Sequence, residues 1–282
     1  MKKPLKITVA LAILFAFLSF FELPSLLGGG ELSFYAFDVG QADAFLFRLP
    51  GGENVLIDAG SRRTSEALVA RLRSLGVRRI DLAVATHPHE DHIGGMAAVI
   101  REFPVGRFWD SGYNHGSEVQ RSMLQAVRDE GVSFEHPKAG HREDFGDAYI
   151  EVIAPVREIL GTASDANNNS IVLRVVYGDV AFLMTGDMET AQRNSVEIFP
   201  RAAVLKLSHH GSRNATDERL LREVSPDLAI FTYGEGNPYG HPHSEVTDLI
   251  ALFGIRSRAT KDGEIRITSD GRALKIRRAL FR

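Results

Sequence analysis

Apolar residues in this chain occur in two patterns that alternate along its length. Short continuous apolar runs, which are typical of buried strands, cover residues 32–37, 44–49, 54–58, 80–85, 148–154, 170–177, 180–185, 203–207 and 228–232. The spacing typical of amphipathic helices occurs over residues 65–75, 189–198, 217–224 and 244–253. Residues 93–130 favour helix, strand and helix, and residues 256–280 favour a closing set of strands. No linker divides residues 31–282. The pattern predicts one α/β domain in which two mixed sheets lie between helices.

The first 30 residues differ in character from the rest of the chain. Three lysines precede an uncharged run from Ile7 to Phe21, which is the arrangement of a secretory signal. The run is shorter than the roughly 20 apolar residues that span a membrane. We expect residues 1–30 to be a signal peptide or an N-terminal membrane anchor, with a buried helix as the third possibility. The lack of a clean Ala-x-Ala site favours the anchor, with the domain on the extracellular side of the cytoplasmic membrane.

Composition narrows the class of protein. A chain of 282 residues with 44% hydrophobic and 24% charged residues is typical of a globular protein, and the absence of cysteine excludes disulfides and thiolate ligands. The net charge of −3 does not indicate a nucleic-acid binder. Residues 255–282 are an exception, with nine Lys/Arg against three Asp/Glu. Such a segment could follow a phosphate backbone, although a solvated edge strand is the more frequent explanation.

Four potential metal ligands follow the strand predicted over residues 80–85. They are His87, His89, Asp91 and His92. In this pattern two imidazoles can point the same way from an extended segment, while the following acid and histidine turn toward a second position. Borderline divalent ions favour this set of nitrogen and oxygen ligands. The cluster therefore predicts a metal site at the end of a strand, where open α/β sheets hold their ligands.

Three further strand ends carry similar chemistry. Asp187 follows the run 180–185, and the pair His209 and His210 follows the run 203–207. A carboxylate has two oxygens, so Asp187 is suited to bridge two metals. His241 and His243 lie in a loop after the run 228–232. They could contact substrate, or they could form a hydrogen-bonded loop stiffened by the intervening proline.

These motifs, together with the segment 38–44, resemble the metallo-β-lactamase superfamily, and within it the extracellular hydrolase domain of ComEC-type (late competence, DNA-uptake) proteins. The resemblance covers residues 32–270 and implies an αββα sandwich. It implies a centre of two divalent ions, Zn²⁺ or Mn²⁺, in which His87 and His89 bind one ion and Asp187 bridges both. The other expected ligands of the second ion are Asp91, His92 and one histidine of the pair at 209 and 210. His210 is the favoured ligand, and His209 is then a group that contacts substrate or supports the site.

The resemblance also implies roles around the metals. Residues expected to act directly in catalysis, by contact with substrate or by proton transfer, are Asp91, His209 and His243. Residues expected to orient the ligands or to support the site are Asp38, Asp43, Asp58, Asn169 and His241. Many superfamily members have another histidine where this chain has residues 165–170, so water or an asparagine oxygen is expected to fill that position. Ala42 replaces the usual glycine.

The implied function is an exported two-metal hydrolase that acts on phosphodiesters, nuclease-like on DNA. Alternatives with the same metals are a lactonase, a β-lactamase or a phosphocholine-type esterase, because one fold supports many substrates. A third possibility is a non-catalytic envelope module. The sequence shows no multi-span channel, so a separate DNA-uptake channel is an expected partner. A retained N-terminal segment would bind the membrane.

Overall fold

The computed structural model describes residues 30–277, which form fifteen strands and seven α-helices. The strands are β1 Leu32–Ala36, β2 Ala44–Arg48, β3 Asn54–Ala59, β4 Ile80–Ala85, β5 Val105–Asp110, β6 Ser133–Glu135, β7 Arg142–Phe145, β8 Ala148–Ala154, β9 Val172–Tyr177, β10 Val180–Met184, β11 Val204–Lys206, β12 Leu228–Phe231, β13 Arg256–Ala259, β14 Ile265–Ser269 and β15 Leu274–Arg277. The helices are α1 Ser65–Ser74, α2 Glu90–Ile93, α3 Met96–Glu102, α4 Glu118–Asp129, α5 Thr190–Ser195, α6 Glu218–Val224 and α7 Ser244–Leu252.

The strands form two mixed sheets. One has eight strands in the order β15-β14-β1-β2-β3-β4-β5-β6, and the other has seven in the order β13-β12-β11-β10-β9-β8-β7. Strands β3 to β6 are parallel in the first sheet, and β10 to β13 are parallel in the second. Parallel strands end at the same edge of a sheet, so the loops after β3, β4, β10, β11 and β12 can share one rim.

An apolar layer between the sheets makes up one part of the core. Its centre is aromatic. The ring centroid of Phe34 lies 4.8 Å from that of Phe47 and 5.2 Å from that of Phe182, and Phe47 meets Phe182 edge-on with 5.3 Å between the centroids. Phe34 and Phe47 belong to the eight-stranded sheet and Phe182 to the seven-stranded one. Such pairs add about 0.5–1.5 kcal/mol to the burial of their area, so these rings hold the two sheets together.

Helices cover the outer faces. Helices α1, α3 and α4 pack their apolar residues on the eight-stranded sheet, and α6 and α7 do so on the seven-stranded sheet. The four layers confirm the predicted α/β sandwich of two mixed sheets. Strands β6 and β7 were not predicted, because β6 is exposed along its length and β7 is buried only at Phe145.

Two expectations about the chain's ends have different outcomes. The predicted signal peptide or anchor lies outside the described residues. Within residues 30–277 no helix is long and apolar enough to cross a membrane. In the basic segment, Arg256 and Arg258 are exposed on β13, an edge strand. The structure therefore supports the solvated-edge explanation for that part of the segment.

Candidate metal centre

Loops at one rim of the two sheets bring the candidate ligands together. Four candidate ligands form one group, in which a nitrogen or oxygen atom of each residue lies within 4.8 Å of one such atom in every other residue. Three of the four side chains are buried. These four residues are Asp91, His92, Asp187 and His210. The first two follow β4, and the other two follow β10 and β11. The centre is thus assembled from both sheets.

Close backbone packing holds the cluster after β4 in place. A Cβ atom at Gly95 would lie only 2.2 Å from the carbonyl oxygen of Ala59 at the end of β3. Only glycine permits that approach, and the Gly95 amide donates to the carbonyl of Gly60. The short helix α2, which carries Asp91 and His92, is therefore held against the neighbouring strand end.

The four side chains of this group, which are expected at the second ion, face a common point. The Nε2 atom of His210 lies 3.3 Å from Asp91 Oδ2 and 3.6 Å from Asp187 Oδ2. The Nε2 atom of His92 lies 3.3 Å from Asp187 Oδ1. Asp187 thus directs Oδ1 toward His92 and Oδ2 toward His210, and Oδ2 also lies 3.9 Å from His87 Nε2. The carboxylate therefore lies between residues expected at both ions, and its bridging role stays a prediction.

His87, expected at the first ion, lies between His89 and Asp187. The Nε2 atom of His87 lies 3.1 Å from His89 Nδ1 and 3.9 Å from Asp187 Oδ2. His87 is buried, and His89 lines the open side of the centre. His87 thus places its Nε2 near both His89 and Asp187, beside the first group.

Hydrogen bonds on the far side of each ring aim the imidazoles inward. Asp58 Oδ2 lies 2.7 Å from His92 Nδ1 and also accepts from the Thr86 hydroxyl at 2.7 Å. Because the Thr86 hydroxyl donates its proton to Asp58, its oxygen can accept a hydrogen bond from His87 Nδ1, which lies 3.2 Å away. The carbonyl of Thr232 accepts from His210 Nδ1 at 2.6 Å. Each ring therefore presents Nε2 to the centre, as metal-binding histidines do.

The residues fit divalent cations. The Nε2 atoms of His92 and His210 are buried, and neither has a hydrogen-bond partner within the part of the chain that the structure describes. Buried nitrogens without partners are costly, and both are directed at the Asp187 carboxylate. A cation between them satisfies both nitrogens and neutralises the carboxylates. Two divalent ions, as is typical of the superfamily that the motifs resemble, suit this set.

The electrostatics of the centre show a surplus of acid. Burial tends to raise the pKa of Asp187, but His92, His210, His209 and Lys206 outweigh it and hold the pKa well below its usual value. Burial likewise tends to lower the pKa of His92, yet the surrounding carboxylates raise it well above 6.5. Asp187 is therefore ionised, and its charge attracts cations.

Sequence reasoning missed a buried cation in this centre. The Nζ atom of Lys206 lies 2.7 Å from Asp43 Oδ2 and 3.3 Å from Asp187 Oδ1, and it donates to the Gly186 carbonyl at 2.8 Å. Lys206 is fully buried. The only available signal was a lysine inside the apolar run 203–207, which is rare in a buried strand. Asp43, expected to support the site, does so through this lysine.

Two further groups at the centre were also missed. Glu189 Oε1 lies 3.0 Å from His209 Nδ1 and accepts from Asn167 Nδ2 at 3.1 Å. His115, in the loop before α4, lies with its ring centroid 5.4 Å from that of His89. Both histidines line the same cavity. A carboxylate at 189 and an isolated histidine at 115 carry no motif, so the sequence offered no signal.

Three residues expected at the site lie apart from the ligand group. Asn169 is occupied by its own loop, donating to the carbonyls of Ile159 and Asp165, and it is Asn167 of the same turn that lines the cavity. Asp38 is exposed and accepts from the Gly40 amide. His243 accepts from the Arg213 amide at 3.1 Å and is not among the residues that line the cavity. The hydrogen bonds of these three side chains therefore hold the conformation of loops.

An open cavity of about 510 Å³ lies over the centre. Its wall includes His241, whose Nδ1 accepts from Gln41 Nε2 at 3.3 Å, so that the proton of the neutral ring is on Nε2. Burial, with the neighbouring histidines, lowers the pKa of His241 to about 4. His241 is therefore a neutral hydrogen-bond donor in this wall.

Comparison with known proteins agrees with this geometry. The model of the metallo-beta-lactamase superfamily matches residues 37–234, a range that includes all six expected ligands. The chain belongs to the metallo-β-lactamase superfamily. Membership and the ligand group together identify it as a metal-dependent hydrolase. The expected fold and enzyme class are confirmed.

Two curated relatives and one solved structure are similar to this chain. It is 30% identical over 266 residues to ComE operon protein 3 of Bacillus subtilis, covering 87% of this chain and 34% of that protein. It is 29% identical over 254 residues to competence protein ComA of Neisseria gonorrhoeae, covering 88% and 33%. The chain spans about a third of the length of these relatives. The fold is similar to that of CmlA, a diiron β-hydroxylase from Streptomyces venezuelae, with a TM-score of 0.56 at 14% identity, covering 86% of this chain and 54% of that one.

Proposed function

We propose that this protein is a two-metal phosphodiesterase that cleaves DNA. The observation that carries the proposal is the convergence of Asp91, His92, Asp187 and His210 beneath an open cavity, which three of them line. The relative named competence protein ComA supports DNA as the substrate class. The open cavity supports access by a chain-like substrate.

The protein's own residues divide the work. When bound, two divalent ions supply Lewis-acid activation of a water and positive charge at the attacked phosphorus. Asp187 and His210 belong to the floor that positions these ions. Asp91 keeps about a third of its side chain exposed, so its carboxylate reaches the cavity and can accept a proton from the attacking water. In this role it acts directly in catalysis as well as binding metal.

The cavity wall binds the phosphate. His241 carries its proton on Nε2 because Gln41 donates to Nδ1, and a neutral donor of this kind bonds to a non-bridging phosphate oxygen. Gln41 is itself held, since its Oε1 accepts from the Gly234 amide at 3.3 Å. The pair therefore orients a phosphodiester over the metals. His243 takes no part in this step.

A substrate panel tests the proposal. The purified chain, loaded with Zn²⁺ or with Mn²⁺, is incubated with bis-p-nitrophenyl phosphate, linear double-stranded DNA, single-stranded DNA, a β-lactam and a lactone. We expect cleavage of the phosphodiester and of DNA, lost in Asp187→Asn. If a β-lactam or lactone is cleaved while every phosphodiester stays intact, the substrate assignment is wrong. If the metal-loaded chain cleaves none of these substrates, the result favours the alternative of a non-catalytic envelope module.

Location is part of the same proposal. We infer that the domain works on the extracellular side of the cytoplasmic membrane, held there by residues 1–30, next to a separate DNA-uptake channel. The support is the basic-then-apolar N-terminal sequence and the competence relatives. Protease added to intact spheroplasts should digest the domain. Protection of the domain until lysis would place it in the cytoplasm.

A further inference from the structure

A second cavity adjoins the one that lies over the metal centre. It has a volume of about 570 Å³ and, like the first cavity, it opens onto Asp91. Four residues line both cavities, namely Gln41, Glu90, Asp91 and Tyr239. A substrate bound over the metals therefore has room to extend past Asp91 into this second cavity.

Tyr239 stands at the boundary between the two cavities, with 64% of its surface exposed. Its ring centroid lies 5.7 Å from that of His241, and the two ring planes are inclined by only 26°. The donor proposed to bind the phosphate thus lies beside an exposed aromatic ring. Unpaired nucleic-acid bases stack on aromatic side chains of this kind.

Hydrogen bonds fix the loop that carries Tyr239. The Asn237 side chain donates from Nδ2 to the carbonyls of Gly234 and His241, at 3.1 Å and 2.7 Å, and its Oδ1 accepts from the His241 amide at 3.0 Å. Gln41 accepts from the Gly234 amide as well. The loop is therefore held in one conformation although Tyr239 is exposed. A preorganised surface of this kind loses little conformational entropy when it binds a ligand.

The charge of the second cavity favours a base over a phosphate. Among the described residues, its charged lining consists of Asp38, Glu90 and Asp91 against one cation, Arg63. A phosphate in this cavity would meet a surplus of negative charge. The bases of DNA are uncharged, and the amino groups of adenine, cytosine and guanine can donate hydrogen bonds to carboxylates. The charges therefore assign the phosphate to the metal centre and the base to the second cavity.

We propose that the second cavity binds an unpaired nucleobase of the substrate, which stacks on Tyr239 while the adjoining phosphate lies over the metal centre. This inference rests on the proposed function, because it requires a nucleic-acid substrate. It adds a specificity that the metal ions cannot supply, namely a preference for a strand with an unpaired base next to the cleaved bond. A base in a duplex is stacked between its neighbours and must leave the helix to reach such a ring.

The test measures the coupling between the ring and the base. Short single strands carry one natural phosphodiester among uncharged, cleavage-resistant methylphosphonate linkages, and in matched strands the base on the 5′ or the 3′ side of that bond is missing. In the metal-loaded wild type, loss of one of the two bases should lower kcat/KM about 5- to 150-fold, the range expected for one stacked base. Tyr239→Ala should lower kcat/KM for the intact strand by a similar factor. Base removal should then change it by less than about twofold, because the interaction is already lost.

Controls separate stacking from other effects of the substitution. Tyr239→Phe keeps the ring and should retain the wild-type values, which excludes a role of the hydroxyl. Leu252→Ala also removes an exposed apolar side chain, since Leu252 is 74% exposed and is not among the residues that line either cavity, and it should change neither value. Tyr239→Ala should bind as much metal as the wild type. If Tyr239→Ala does not fold, as judged by circular dichroism, Tyr239→Gln takes its place.

The outcomes separate the two proposals. A wild type that cleaves no phosphodiester overturns the proposed function and this inference with it. A wild type that cleaves the intact strand and both base-free strands equally well overturns this inference alone. A loss on base removal that persists unchanged in Tyr239→Ala also overturns this inference alone, because the base is then recognised elsewhere.

Discussion

Lys206 and Asp43 form an ion pair, 2.7 Å from Nζ to Oδ2, in which neither side chain is exposed to solvent. Lys206 also lies 3.3 Å from Asp187 Oδ1, so the pair extends to the proposed bridging ligand. Burial tends to lower the pKa of Lys206, but Asp43 and Asp187 raise it above 10.5. The lysine is therefore charged and offsets part of the acid surplus before any metal binds.

Removing this cation should destabilise the metal-free protein. Lys206→Met leaves Asp43 buried without its partner, for which about 3–5 kcal/mol is expected. Urea unfolding of the apo protein measures the loss. Lys261→Met, which breaks an exposed pair with Asp262, is the control and should change the free energy of unfolding by less than about 1 kcal/mol. Equal effects in the two variants would contradict a buried charge pair.

Substitution of Asp187 should weaken the binding of both metal ions, because this residue is the proposed bridging ligand. In Asp187→Asn the amide cannot supply two anionic oxygens, so the Kd of both ions should rise by at least about a hundredfold, more than the loss of an outer partner costs. Calorimetric titration with Zn²⁺ measures this. Asp144→Asn, on the exposed part of β7, serves as the control. Two tightly bound ions in Asp187→Asn would exclude the bridging role.

One buried glutamine organises the loop that carries His115. Gln120 Oε1 accepts from the amides of His115 and Gly116, and its Nε2 donates to the Tyr113 carbonyl. Gln120→Ala should cost about 1–3 kcal/mol, because these backbone groups lose their partner. Hydrogen exchange should accelerate in residues 111–117. Gln125→Ala, on the exposed side of the same helix, should leave that exchange unchanged.

Stability should depend on pH through Asp110. Burial raises the pKa of Asp110 above 3.8, although the Gly112 amide and His136 oppose the shift. A raised folded-state pKa adds stability that is complete below 3.8 and declines as pH rises through the folded value. Asp110→Asn in the apo protein should therefore gain stability relative to wild type between pH 4 and pH 7. A difference that stays constant across this range would contradict the shift.

Much of the architecture could be predicted because most strands are buried on both faces and appear as apolar runs. Strands β6 and β7 could not, since their exposed, charged residues resemble loop. The ligands at strand ends were predictable because parallel strands end at one rim, where Asp187 meets His92. Contacts between residues that are far apart in the sequence and belong to no motif were not predictable.

Two residues show that limit. Asn167 and Asn169 lie in one short 3-10 turn, Asn167–Asn169, and their spacing does not determine which side chain faces the cavity. Asn169 was expected there, but its amide bonds to its own loop. Likewise, the sequence around Lys206 predicts a buried strand, and only the folded chain shows Asp43 beside it.

The proposed ligands are divided between the two sheets, and each ion would take ligands from both, so the size of each metal position is a property of the whole sandwich. Asp91 and His92 move with one sheet, and Asp187 and His210 with the other. The thickness of the aromatic layer formed by Phe34, Phe47 and Phe182 therefore sets the distance between the two sets. Repacking that layer would therefore change the fit of both metal positions without altering a ligand.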